Sequence, residues 1–434
     1  MISKLRIFKS IIANVLGALT TFLLGVLLAR QLGPGGFGQY SFVLSVAFLA
    51  TALCQLGMPV LIVRLVASYS KKNQRSRISG LVNWAANCCA ICSIFTALLL
   101  LALDLTSHHF GEAIELSIGV LLIPLLTILS LRMSLLRGLN LVIQAAYIEP
   151  ISRNILLLLF CGICIALKID FTVNLVLSLY IVGLLLVLFS VDFGPIGRLS
   201  HSYRSMTPEY EVGAWLKESI PLLFITVAQL VLTQSDIILL GVFSSPEELG
   251  PYRAMVMLAL CVQFFSIAIN SLAAPMVASD FSKGDLAGVQ ATVGRASTFG
   301  LYLSMPVLLI FLIFGHEILL KAFGEEFVSN YEVLVILCFG YSAIFSLGPT
   351  TMILNMTGHQ VDVLKMLGVF ALLNVIMNII LIPAFGGMGA AIATSLSYLC
   401  FHGVQCLFVI NRLGIDPIPK PMKIQSYWDG YNRQ

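Results

Sequence analysis

Long apolar runs and short polar breaks alternate along the whole chain. The runs cover residues 8–29, 41–67, 80–103, 113–135, 142–166 and 172–190, then 214–240, 252–277, 292–314, 330–354, 364–382 and 387–410. A helix needs about 20 apolar residues to cross a hydrocarbon core of roughly 30 Å, and the runs are close to that length. Lipid offers no partner for a backbone N–H or C=O, so a spanning segment must satisfy its own backbone. Runs this long and evenly apolar do so as helices, not as the shorter alternating strands of a barrel. The pattern predicts an all-α polytopic membrane protein with twelve transmembrane helices.

After the sixth run the pattern restarts. Phe-Gly-Gln-Tyr at 37–40 returns as Leu-Gly-Pro-Tyr at 249–252, and Val-Ala-Ser at 66–68, followed by Lys71 and Lys72, returns at 277–279, followed by Lys283. Asn154 falls opposite Asn374 when Gly138 is laid on Gly358. Each half holds an even number of spans, so both cross the membrane in the same sense. The expected relation is a pseudo-two-fold axis along the membrane normal, with a cavity between two six-helix bundles. The predicted division is an N-terminal bundle over 1–190, a cytoplasmic linker over 191–213, a C-terminal bundle over 214–410 and a cytoplasmic tail over 411–434.

Charge supplies the orientation. Hydrophobic residues make up 59% of the 434 and charged residues 11%, at a mean hydropathy of +0.97, whereas soluble domains carry about 25% charged residues. With the N-terminus inside, nineteen Lys and Arg fall on the inner side and only Arg30, Lys168, Arg253 and Lys321 on the outer side. That bias places both termini in the cytoplasm. The outer loops are short, and two are acidic, with Asp104 and Glu112 in one and Glu317, Glu325 and Glu326 in the other.

Several chemistries are poorly served. The run after Lys4, Arg6 and Lys9 is too long for a secretory h-region and shows no small-residue cleavage site, so it reads as a retained first helix. The ten Cys have no metal spacing and read as small membrane-buried residues. His108 and His109 read as a solvated outer-loop pair. Neither a phosphate-binding Gly-Lys-Ser/Thr loop, nor Gly-x-Gly-x-x-Gly, nor His-Glu-x-x-His occurs, so direct ATP use and enzymatic chemistry are not expected, and no cofactor or metal is.

Polar residues inside the runs are the candidates for chemistry. Arg153 lies mid-span with Glu149 one helical turn earlier, straddling Pro150; they form part of a substrate or ion path or a structural salt bridge. Arg64 is a snorkelling anchor or an inward-facing anion contact. Arg30 and Arg253 each lie near the first outer turn of their half, as plain outer-surface residues or as groups that attract an anionic headgroup. Asp236 could bind a cation or proton, pair with an arginine, or reach the interface. Asn83 with Asn87, and Asn374 with Asn378, read as helix-to-helix hydrogen bonding.

The stretch Arg-Gln-Leu-Gly-Pro-Gly-Gly-Phe-Gly-Gln-Tyr at 30–40, followed by Gly57-Met58-Pro59, resembles the first helix-turn-helix of the polysaccharide transporter family that includes the bacterial O-antigen flippases. Gln-Ser-Asp-Ile-Ile-Leu-Leu-Gly at 234–241 and Leu-Gly-Pro-Tyr at 249–252 are similar to its second-half counterpart. The resemblance implies the fold shared with multidrug and toxin extruders and with the lipid II flippase. It implies a flippase moving a polyprenyl-diphosphate-linked oligosaccharide from the inner to the outer leaflet of a bacterial inner membrane, for lipopolysaccharide or other surface polysaccharide synthesis. Arg64 and Arg153, with Arg30 and Arg253, become candidates for diphosphate contact, and Glu149 and Asp236 for coupling or gating. Whether a coupling ion or the membrane potential drives the cycle is left open by the sequence. Expected partners are the lipid-linked oligosaccharide, membrane lipids, a polysaccharide polymerase and a chain-length regulator, and not nucleic acid. The alternative is a cation-coupled multidrug or metabolite exporter of the same fold, with Glu149 and Asp236 facing one another across its cavity.

Overall fold

The computed structural model describes residues 2–107, 116–193, 207–329 and 331–420, and every regular element among them is helical. Among the described residues, eight helices are long and apolar enough to cross a membrane, and a ninth span results if the bent pair Tyr331–Ser346 and Thr350–Met356 is taken together. Their apolar side chains stay exposed along the lipid faces, as at Ile91, Phe95, Phe189, Phe224 and Ile313. The chain folds into two compact units, Met1–Pro251 and Tyr252–Gln434. The outer loop that holds His108, His109 and Glu112, most of the linker, and the tail beyond 420 lie outside the described residues.

In the first unit, α1 (Ile2–Cys54) leads to α2 (Met58–Lys71), α3 (Arg75–Ser107), α4 (Leu116–Gly119), α5 (Leu122–Gly138) and α6 (Val142–Ala146). A π-helical turn, Tyr147–Ser152, then joins α6 to α7 (Arg153–Ala166), before α8 (Val173–Phe193) and α9 (Val212–Phe243). Helix α1 packs on α5 and α9, and α2 packs on α3, α5 and α9. Helix α10 (Pro246–Leu260) carries the boundary between the units. In the second unit, α11 (Phe264–Ser282) packs on α12 (Leu286–Ala322). Helices α13 (Tyr331–Tyr341), α14 (Ala343–Ser346) and α15 (Thr350–Met356) pack against the long α16 (Gln360–Phe408).

The breaks differ from those that hydropathy suggests. The first two runs, expected to be separated by a loop, belong to one helix that kinks at Gly33, whose φ of 69° suits a residue without Cβ. Pro34 restarts the helix, where its missing N–H costs nothing. The second run, expected to be continuous over 41–67, is instead interrupted where Leu56 and Gly57 take φ of 50° and 73°. Pro59 stands in the first turn of the arm that follows. The last two runs likewise form one helix kinked at Gly386, and the tenth is broken around Gly348 and Pro349.

The repeated turns interlock. A Cβ on Gly38 would stand 2.1 Å from the Pro246 carbonyl oxygen, and one on Gly250 would stand 2.0 Å from that of Pro34. The shift of 212 residues that carries 38 to 250 also carries 34 to 246, and it is the shift that relates 37–40 to 249–252. Residue i meeting j′ while i′ meets j is the pattern of a two-fold contact. Locally, then, these two turns, both within the first unit, meet backbone against backbone in a pseudo-two-fold contact.

Candidate functional site

Helix α9 crosses the first unit with a different chemistry at each end. At its N-terminal end, Trp215 is 1% exposed and packs on Trp84 at 5.9 Å between ring centroids. Its indole N–H donates to the Tyr69 hydroxyl at 3.4 Å, and that hydroxyl donates to Glu211 at 3.3 Å. Arg77 joins the same cluster, with Nη2 3.0 Å from Glu211 and Nε 3.2 Å from Glu209. Arg64 on α2 pairs with Glu218 on α9, both well exposed. The residue expected either to snorkel or to face an anion thus has a carboxylate partner from another helix.

Farther along α9 the polar groups are half-buried or buried. Gln234 Oε1 accepts from Ser45 at 3.0 Å. Asp236 is 2% exposed, and its Oδ1 accepts from the Ile237 N–H at 2.8 Å. A carboxylate so enclosed is not the solvent-reaching helix end that was one of its readings. Arg30 is exposed on α1, and Arg253 is half-buried on α10.

Arg153 opens α7 immediately after the π-helical turn. Its guanidinium carbon lies 5.7 Å from the centroid of the Tyr180 ring on α8, and its Nε is 3.4 Å from Asn154 Oδ1. Asn154, 2% exposed, donates to Thr21 Oγ1 at 2.7 Å and so ties α7 to α1. The expected pairing with Glu149 concerns a side chain outside the described residues. What the structure shows is a guanidinium set over an aromatic face, a contact that stabilises the cation without neutralising it.

Two groupings escape sequence reasoning. Arg132, counted only as an inner basic residue, lies within α5 and pairs with Asp192 near the end of α8. Nη2 donates to Oδ2 at 3.2 Å, while Nε lies 3.0 Å from Oδ1 without a hydrogen-bonding angle. In the second unit, Thr350 lies 3.2 Å from His402 Nδ1 and donates to Gln405 at 2.9 Å, and Thr351 donates to the same oxygen at 2.7 Å. Asn378 donates to Asn374 Oδ1 at 3.0 Å, a bond within one helix. Among the described residues no group of three His, Cys, Asp or Glu is placed to hold a metal ion.

These residues stand on the helices of a multi-pass membrane protein. The chain belongs to the polysaccharide biosynthesis protein family, whose profile matches residues 6–279. It is 30% identical over 167 residues to the probable low-salt glycan biosynthesis flippase Agl15 of Haloferax volcanii, a match covering 38% of this chain and 34% of that protein. The matched region thus spans about a third of that relative. Its fold is that of the lipid II flippase MurJ, with a TM-score of 0.70 at 14% identity, covering 92% of this chain and 86% of that one. A multidrug resistance MATE family transporter of the MOP superfamily, in an inward-facing conformation, is equally similar, with a TM-score of 0.70 at 13% identity and coverage of 92% and 94%.

Proposed function

We propose that this protein is a flippase that carries a polyprenyl-diphosphate-linked oligosaccharide from the inner to the outer leaflet by alternating access. The observation that carries the reading is the polysaccharide biosynthesis family match over residues 6–279 in a chain with the MurJ fold. Sugar hydroxyls and a diphosphate are costly to strip of water in hydrocarbon, so such a headgroup needs a polar route. Arg153 over Tyr180 supplies a cation at membrane depth that can take up phosphate oxygens. Arg64 is its partner in this reading, trading Glu218 for phosphate, and Arg30 and Arg253 meet the headgroup farther out. Glu149 and Asp236 serve coupling or gating.

The same reading divides the helices into twelve crossings. The kinks at Gly33 and Gly386 each split a long helix into two arms, the bent pair over 331–356 counts as one span, and 142–166 supplies another. These would form two six-helix bundles about a two-fold axis along the membrane normal, which the reciprocal contact of the two outer turns supports. The termini would lie in the cytoplasm and the protein in the cytoplasmic membrane. The reading does not require a bacterial host, since one relative is from Haloferax volcanii.

The equal likeness to a multidrug transporter supports a second reading, cation-coupled export of a small organic molecule. Removal of the gene from its host separates the two. A flippase predicts loss of surface glycan, with the lipid-linked oligosaccharide accumulating on the inner face. Unchanged surface glycan with new drug sensitivity would overturn it in favour of the exporter.

A further inference from the structure

The first unit contains a groove between α2, α3 and α5 that the proposed headgroup route does not use. It encloses about 210 Å³ and is lined by apolar Ile62, Val82, Ala86, Ala90, Ile128 and Leu135, with Arg132 and Asn87 as its polar groups. Asn87 is exposed at the surface of α3, and Arg132 has Asp192 as its one carboxylate partner among the described contacts. Arg132 precedes the end of α5 by six residues, about 9 Å along the helix at 1.5 Å per residue. The Lys71, Lys72, Arg75 and Arg77 cluster lies at the same end of the unit, across the short turn from α2 to α3. By the positive-inside bias this is the cytoplasmic end. The guanidinium therefore sits near the depth of inner-leaflet phosphates, while Val82, Ala86 and Ala90 run on toward the bilayer middle.

We infer that this groove captures the prenyl phosphate of the lipid carrier from the inner leaflet, with the phosphate at Arg132 and the first isoprene units along the apolar wall. The identity of the lipid rests on the flippase reading above. Size selects the occupant. Pockets that enclose a whole small ligand run to about 300–1,000 Å³, so this groove takes a stretch of one chain and not a sugar headgroup or the paired chains of a phospholipid. Charge selects the end group. Asp192 neutralises Arg132 while the groove is empty, which lowers the cost of a cation at this depth. A phosphate brings more charge and more acceptor oxygens than a carboxylate, and it displaces Asp192 from the fork of the guanidinium.

The test is equilibrium binding of radiolabelled farnesyl phosphate to the purified full chain in detergent. Saturable binding is expected, with Arg132→Gln weakening it by about tenfold or more, the scale of a lost hydrogen bond to a charged group. Ala90→Phe should abolish it by filling the groove, and Asp192→Asn should preserve or tighten it. Inorganic pyrophosphate and dioleoyl phosphatidylglycerol should compete poorly. If Arg132→Gln is unstable because it strands Asp192, the double change R132Q/D192N removes both charges and should still bind weakly. Wild-type binding in the double variant and in Ala90→Phe would overturn the proposal, as would displacement by phosphatidylglycerol as effective as by farnesyl phosphate. The flippase reading fails separately: farnesyl phosphate binding with this variant pattern, but no glycolipid translocation by the wild type, would leave the groove and remove the transport function.

Discussion

The two ends of α9 are held by opposite means. At its C-terminal end the next turn is locked to α1 by glycines that admit a carbonyl where any side chain would stand, at Gly38 against Pro246 and Gly250 against Pro34. At its N-terminal end the helix is fastened by the buried Trp215 and by ion pairs, Arg64 with Glu218 and Arg77 with Glu209 and Glu211. Backbone interlocks are indifferent to salt and have one geometry. Exposed ion pairs contribute roughly 0–1 kcal/mol each and can exchange partners. One end of α9 thus has a single backbone geometry, and the other combines the buried Trp215 with ion pairs that can exchange.

Breaking the fixed end should do the most damage. Gly250→Val or Gly38→Val drives a side chain into an unyielding carbonyl, so the cost should reach or exceed the upper end of the ~1–3 kcal/mol typical of overpacking. The expected result is loss of monodisperse protein on size-exclusion chromatography, whereas substitution at Gly162, with open space around it, should be tolerated. Recovery of normal protein from Gly250→Val would mean that the interlock is not what fixes this end.

Between the ends, Arg153 should govern transport more than folding. R153A, R153K and R153A/E149A, each matched for membrane abundance, distinguish a cargo contact from a neutralising one. A cargo contact predicts that the double variant stays impaired by about tenfold or more, with Lys rescuing only partially, since Lys lacks the paired donors of Arg. If Arg153 serves only to balance Glu149, removing both charges should restore transport.

The breakable end should respond more gently. Glu218→Gln is expected to change the melting temperature little, because a surface pair contributes at most about 1 kcal/mol. Its effect should fade in high salt, which shortens the Debye length from about 10 Å at 0.1 M to about 3 Å at 1 M. A large, salt-independent loss of stability would make this end as rigid as the other.

The smallest effect belongs to an ordinary exposed pair that serves as reference. Asp416 contacts Lys420 at 2.7 Å, and this bond, helped by the Ile418 N–H, holds its carboxyl below the usual value. A depressed folded pKa means that the associated stability is present above the unfolded value of 3.8 and is lost as pH falls through the lower folded value. Asp416→Asn should therefore leave the melting temperature at neutral pH lower by a small, salt-sensitive amount and converge with wild type in acid.

Hydropathy made the spans legible because lipid demands long apolar helices, and the repeat made the contact of the outer turns interpretable. The breaks were harder. Leu56, an apolar residue between Gln55 and Gly57, carries a positive φ that no hydropathy window marks. The Gly33 kink reads as a loop in sequence because Gln31, Pro34 and three further glycines resemble a turn. The site was legible one residue at a time: Arg64, Arg153 and Asp236 stand out as charges in apolar runs. Their partners were not, because Arg64 meets Glu218 154 residues away and Arg132 meets Asp192 60 residues away, and no helical spacing rule reaches so far.

Translocation of a lipid-linked glycan is the activity on which the role of Arg153 and of the two unlike ends depends. Purified protein in proteoliposomes carrying a polyprenyl-diphosphate oligosaccharide, probed with a membrane-impermeant glycosidase or lectin, measures it directly. A flippase gives protein-dependent movement of the headgroup between leaflets that R153A suppresses. Movement no faster than in protein-free vesicles, from a preparation that is folded and correctly inserted, would contradict it.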